Sequence, residues 1–303
     1  APSRSWYFAE GSTRNGYDSW ILLQNPLSEP ATATLTFLTS EGARIEHAVL
    51  VPPGSRGSLY VNEVAPDVDF ATIVSSDQPV VAERAMYFGN GGGHGSFGAS
   101  ELSRNWYLAE GQAGDGFDTW LLALNPSQVT ANVKVTYMME DGSTIPAYYA
   151  IQPGSRLSLY ANDVVRSGRF GARVESDLPI VVERSTYFAG GRGGHNVVGS
   201  PLAAEDWFLP EGSTKQPFSE VVSVLNPGDQ VANLEVTFMK VDGGSDVRAF
   251  AVNPTSRLTL DVNDLLPETE ASIKVASDRP VVVERSMYFA GGLGGTSSLG
   301  IPR

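Results

Sequence analysis

Short apolar runs of alternating character recur along the whole chain, each closed by Gly, Pro, Asn or Asp. In the first third they read WYFAEG, SWILLQNP, ATATLTFLTSEG, ARIEHAVLVPPGS, RGSLYVNEV, FATIVSSDQ and PVVAERAMYF. Period-two alternation bounded by turn formers predicts strands. Leu35 and Phe37 share one face, as do Val133, Val135 and Tyr137, and Leu234, Val236 and Phe238; Thr36, Thr136 and Thr237 lie on the other. Glu41-Gly42, Asp141-Gly142 and Asp242-Gly243 stand where a hairpin should turn. No segment holds a helical period. NEVAPDV, NDVVRSG and NDLLPET predict one helical turn each, with Asn62, Asn162 and Asn263 as caps.

The same pattern occurs three times. WYFAEG at 6–11 returns as WYLAEG at 106–111 and WFLPEG at 207–212. Asn25-Pro26, Ser55-Arg56, Ser76-Asp77-x-Pro79, Glu83-Arg84 and Tyr87-Phe88 all recur. Trp6 to Phe88, Trp106 to Phe188 and Trp207 to Phe289 each span 82 positions, so the length variation falls between copies. A fixed body with a variable connector describes a folded unit and a loop, and a period near 100 suits a string of small domains. About seven strands in roughly 80–100 residues is the size of an immunoglobulin-like β-sandwich. The expected fold is therefore all-β: three tandem immunoglobulin-like sandwich repeats at 1–99, 100–200 and 201–303.

WYFAEG, NP, PGSR, SDxPVVxER and MYF together resemble a tandem repeat of uncharacterised secreted and surface proteins from actinobacteria and other, often thermophilic, bacteria. The resemblance covers nearly the whole chain and implies an extracytoplasmic accessory or structural module. It brings no catalytic or binding residues with it. Copy three departs most: Pro210 replaces Ala, Val221 replaces the second Trp, and Thr296 replaces a His.

Composition narrows the choice. The 303 residues carry a net charge of −13, with 21 basic and 34 acidic side chains, and no cysteine. The acidity opposes sequence-independent nucleic-acid binding, and the missing cysteines exclude disulfides and thiolate metal sites. The 42% hydrophobic content supports real cores. No apolar run reaches the ~18 residues of a membrane-spanning helix.

The repeated charges are Glu10, Arg56, Glu83 and Arg84, then Glu110, Arg156, Glu183 and Arg184, then Glu211, Arg257, Glu284 and Arg285. Neighbours in a strand point to opposite faces, so Glu83 and Arg84 do not pair with each other. Charges flanked by apolar residues need partners; Glu10, Arg56 and their counterparts are the candidates, from other strands or the adjoining repeat. Glu10 and Glu83 could in principle form a glycosidase pair, but three identical active sites in one chain would be unusual. His94 and His195 lie in GNGGGHGSFG and GGRGGHNVVG; one His per segment, and none in copy three, is no metal set, and His47 is unmatched. These stretches are expected to be flexible, close-packed connectors. Asp18 and Asp118 follow Gly-aromatic turns and suit an Asx turn better than a calcium site. Trp6, Tyr7, Trp20, Trp106, Tyr107, Trp120 and Trp207 suit a core, or a glycan-stacking face if exposed.

No catalytic residue, cofactor or metal is expected. The favoured function is a non-catalytic extracellular or cell-surface structural protein, a head-to-tail assembling protomer of a surface filament, appendage or sheath. Its partners are further copies of itself, head to tail, or neighbouring domains of a longer array; the alternative is a glycan-binding or adhesion module. Joining one chain's end to another's start would place Phe289 and Trp6 20 positions apart, against 18 and 19 for the internal connectors. If Trp6, Tyr7 and Phe8 packed on the preceding unit, they would form an assembly strand open to β-strand addition.

Overall fold

The structure, a computed structural model, describes residues 1–89 and 91–303; Asn90, in the first glycine-rich stretch, lies outside them. Strand accounts for 66% of the chain and helix for 5%, and three antiparallel β-sandwiches follow one another in tandem.

One long strand organises each repeat: Phe70–Phe88, Gly168–Phe188 and Ala271–Phe289. In repeat one its first half pairs with Ala31–Thr39 and Ser3–Phe8, and its second half with Asp18–Asn25 and Gly92–Phe97. Arg44–Val51 extends the first layer and Ser55–Tyr60 the second. Each layer thus has four strands, and the long strand belongs to both. The Ser-Asp-x-Pro step, read above as a break between two strands, is where this strand passes from one layer to the other. Pro79 falls between the two ladders, where no neighbour needs the N–H it lacks.

The alternation predicted from sequence builds the core. Leu35, Phe37, Val135, Tyr137, Val236 and Phe238 are buried. Trp6, Trp106 and Trp207 are buried too, and their indole N–H groups donate to the carbonyls of Val80, Ile180 and Val281 at 2.9, 3.0 and 2.8 Å. Trp20 and Trp120 are half-buried and lie against Tyr60 and Tyr160. The hairpins turn at Gly42, Gly142 and Gly243, whose φ values of +85°, +85° and +86° only glycine adopts without strain.

Three expectations need correction. The glycine-rich stretches are not flexible connectors: Gly92–Phe97, Gly193–Val198 and Gly294–Leu299 are strands of the second layer. Their glycines permit close stacking of neighbouring repeats. A Cβ on Gly92 would lie 2.3 Å from the carbonyl oxygen of Arg192, and one on Gly193 would lie 2.6 Å from that of Leu293. Asn62, Asn162 and Asn263 lie inside their short turns and do not cap them. Asn62 instead donates to the Tyr17 carbonyl at 2.8 Å and accepts from the Ser19 N–H at 3.0 Å; Asn162 and Asn263 repeat this arrangement. Finally, Trp6, Tyr7 and Phe8 do not form an open assembly strand. They pair with Val74, Ile73 and Thr72 of their own repeat, and Tyr7 bonds Ala99 on its other edge.

Candidate functional site: the junctions between repeats

The repeated charges converge where one repeat meets the next. The Ala-Glu-Gly loop leaving the first strand of repeat one inserts against the second layer of repeat two. Glu183 receives the N–H of Ala9 on Oε1 at 2.6 Å, and its Oε2 lies 2.9 Å from Arg84 Nη1. Arg84 also donates to the Glu10 carbonyl at 2.9 Å and lies 3.2 Å from the Glu10 carboxylate. Arg156 donates to the carbonyls of Gly11 and Phe70, at 2.7 and 2.6 Å. Tyr187 and Asn196 complete the shell by donating to Glu10 at 2.9 and 3.0 Å.

Repeats two and three meet in the same way. Ala109 N–H donates to Glu284 Oε1 at 2.6 Å. Arg184 bridges Glu110 and Glu284, at 2.7 and 2.6 Å. Arg257 donates to the carbonyls of Gly111 and Phe170. The Glu-Arg dipeptide is therefore two-faced. Glu183 reaches back to repeat one and Arg184 reaches forward to repeat three, because adjacent strand residues point to opposite sides.

Burial follows position in the array. Glu10, Arg84, Glu110, Glu183, Arg184, Arg257, Glu284 and Arg285 are buried, and Arg156 is half-buried. The exceptions stand at the two ends. Arg56 is exposed and Glu83 half-buried, on the face of repeat one that no described repeat covers. Glu211 is exposed beside Arg285, on the end of repeat three that no described repeat covers. Apolar packing crosses the junctions as well: Ala9, Leu38 and Ala71 join the core cluster of repeat two, and Ala109 and Met138 join that of repeat three.

Burial alone would push the Glu10 carboxyl up, but the charges of His94 and Arg84 and hydrogen bonds from Ser185 and Tyr187 hold it below the usual range. Glu110 is likewise held low against burial, chiefly by Arg184. Burial pushes His94 and His195 down to about 4, against the pull of Glu10 and Glu110, so both rings are neutral at pH 7. His94 Nε2 lies 3.7 Å from Glu10. Glu220, in the place of Ser19 and Thr119, is raised to about 7 by burial. Asp18 and Asp118 accept hydrogen bonds from Tyr60 and Tyr160 rather than closing Asx turns.

Sequence reasoning missed Tyr187, Asn196 and the backbone groups of Ala9, Gly11 and Phe70. It also gave no role to Asn25, Asn125 and Asn226. Each of these is buried, and each side-chain amide ties together carbonyls of two loops.

A family model described as a family of unknown function, DUF5719, matches residues 1–195, which hold the first repeat and most of the second. The chain belongs to DUF5719. No curated protein matches it. Among solved structures, a Thermotoga maritima protein is 26% identical over 33% of this chain and 96% of its own, with a TM-score of 0.32. The Anabaena sensory rhodopsin transducer is 23% identical over 27% of this DUF5719 chain and 94% of its own, at 0.24. A tetra-tandem repeat from the extending region of a large adhesion protein is 15% identical, covering 91% of this chain and 68% of its own, at 0.18. At such scores these likenesses carry no functional argument.

Proposed function

We propose that this DUF5719 chain is a non-catalytic structural rod of the cell exterior, a stiff array that spaces or supports whatever it is joined to. One observation supports the reading above the rest: the charges that recur in every copy serve to bind the next copy. Of the carboxylates a glycosidase reading would need, Glu10 with Glu83 and their counterparts in the other copies, Glu10 and Glu110 pair with Arg84 and Arg184, and Glu183 and Glu284 accept the N–H groups of Ala9 and Ala109. A buried carboxylate bonded to the neighbour's backbone fixes the angle between repeats as well as their contact, which is what stiffness requires. The extracellular setting rests on the family resemblance and on the acidic, lysine-poor composition.

Calorimetry and solution scattering test the mechanical part. The wild-type chain should melt as one cooperative unit and scatter as an extended particle of fixed shape. Arg184→Met should split the melt and broaden the distribution of shapes. Independent melting of the repeats in the wild type would overturn the reading, as would measurable glycoside hydrolysis or binding to a glycan panel. Protease shaving of intact source cells tests the location; protection of the chain until the cells are lysed would refute it.

A further inference from the structure

At both junctions the same donor meets the same acceptor. The donor is an Ala-Glu-Gly loop. The acceptor is the Glu of Glu-Arg and the Arg of Ser-Arg, joined at the first junction by the Tyr of Tyr-Phe. Among the described residues, repeat one presents an acceptor that no donor covers and repeat three a donor that meets no acceptor, and they differ in how far they have kept those residues.

The acceptor on repeat one keeps the set. Arg56, Glu83 and Tyr87 stand where Arg156, Glu183 and Tyr187 stand in repeat two. Among the described residues Arg56 bonds only Ser58, at 3.1 Å, and Tyr87 and Phe97 are 54% and 59% exposed. A groove of about 550 Å³ runs between Leu22, Gln24, Arg56, Glu83 and Phe97. Gln24 replaces the leucines that are buried at the other two junctions, Leu124 and Leu225, so the open face tolerates water when unoccupied.

The donor on repeat three has lost the set. Pro210 stands where Ala9 and Ala109 donate their N–H to a glutamate, and proline has no N–H to give. Ala271 replaces the phenylalanine whose ring lies against Gly11 and Gly111 in the other copies. Glu220 fills the space: a Cβ on Gly212 would lie 2.5 Å from its carboxylate. The charge of Arg285 acts on Glu220 of its own repeat, where Arg84 and Arg184 pair with a carboxylate of the next repeat.

We propose that the front face of repeat one is a docking site for the Ala-Glu-Gly end of a further repeat of this type, and that the end of repeat three is closed, so that identical chains do not join head to tail. The partner is defined by chemistry: a loop offering one backbone N–H to Glu83, one carboxylate to Tyr87, and two backbone carbonyls to Arg56. The proposal rests on the array reading, because it extends the same junction by one step.

The test gives the chain a restored tail and a blocked front. Pro210→Ala, Glu220→Ser and Ala271→Phe rebuild the donor, and Glu83→Lys disables the acceptor. Mixed with the wild-type chain, this variant should form a one-to-one complex in sedimentation velocity, while each alone stays monomeric at high concentration. Glu83→Gln in the wild-type partner removes a charged hydrogen-bond acceptor and should weaken the complex by about tenfold or more. Self-association of the wild type would overturn the closed end. Absence of a complex with a folded variant, or a complex indifferent to Glu83→Gln, would overturn the docking site. Should the four substitutions together fail to fold, Pro210→Ala with Glu83→Lys answers the same question. A negative result here leaves the melting and scattering tests of the rod untouched, so the two claims fail separately.

Discussion

Glu183 accepts the backbone N–H of Ala9, 174 residues earlier in the chain, at 2.6 Å. The same carboxylate lies 2.9 Å from Arg84, and both side chains are fully buried. Ion pairs of this kind weigh little while intact, because desolvation offsets attraction, but breaking one leaves a charge stranded. Arg184→Met strands Glu110 and Glu284 together and should cost about 3–5 kcal/mol in denaturant unfolding. Arg285→Met should cost markedly less, since the side chain of its partner Glu211 is 68% exposed and water takes over. Equal losses at the two positions would refute the junction account.

Acid should loosen the array in a defined window. His94 and His195 titrate near 4 when folded and near 6.5 when unfolded. Between those values the unfolded chain binds more protons, so stability is complete above pH 6.5 and falls as pH drops towards 4, by on the order of 3 kcal/mol per ring. Glu10 and Glu110, held low when folded, extend the loss further into acid. Glu220 works the other way: with a folded value of about 7 against 4.5, its contribution is complete below pH 4.5 and lost as pH rises to 7. Unfolding midpoints across pH 4–8 should therefore rise with pH, more steeply in Glu220→Gln and less steeply in His94→Gln/His195→Gln. A flat wild-type profile from pH 4.5 to 7 would contradict the assignment.

Much of this was legible before the structure. Fixed spacing exposed the repeats, period two exposed the strands, and Glu83 beside Arg84 had to point opposite ways. Three things were not. The glycine-rich strands carry no β signal in their composition: they pair with the long strand of their own repeat, and their glycines answer a close backbone approach between neighbouring repeats. The Ser-Asp-x-Pro step looks like a turn because proline and aspartate are turn formers, yet it marks a strand changing layers. Pro210 stood out as a departure from the pattern, but its meaning depends on knowing that the Ala9 N–H is a donor, and sequence periodicity is blind to backbone donors.

The Asn-Pro motif is structural on the same logic. Asn125 is fully buried, and its amide donates to the carbonyls of Val129, Ile151 and Gln152 at 2.8, 3.1 and 3.2 Å. Its oxygen accepts from the Ser127 N–H at 3.0 Å. Asn125→Ala should cost at least about 2 kcal/mol by leaving buried carbonyls without donors. Asn125→Asp should be no better, since a carboxylate has no proton to offer them. Unchanged melting in both variants would show that the loops hold without the clamp.

Gly193→Ala probes the stacking of neighbouring repeats. The new methyl group would lie 2.2 Å from the ring of Phe188 and 2.6 Å from the carbonyl oxygen of Leu293. The ring can turn aside, but the carbonyl is backbone of repeat three and moves only with that repeat. Overpacking of this sort costs about 1–3 kcal/mol, and here the strain falls on the junction. Hydrogen exchange should accelerate along 193–198 and 294–299 while the core strands of repeats two and three stay protected. Gly190→Ala is the comparison: its Cβ meets open space, but its φ of +67° disfavours any side chain. That variant should lose about 1 kcal/mol through local strain and leave exchange at 294–299 unchanged. If the two variants share one exchange pattern, the glycines of these strands serve backbone conformation and not the packing of one repeat on the next.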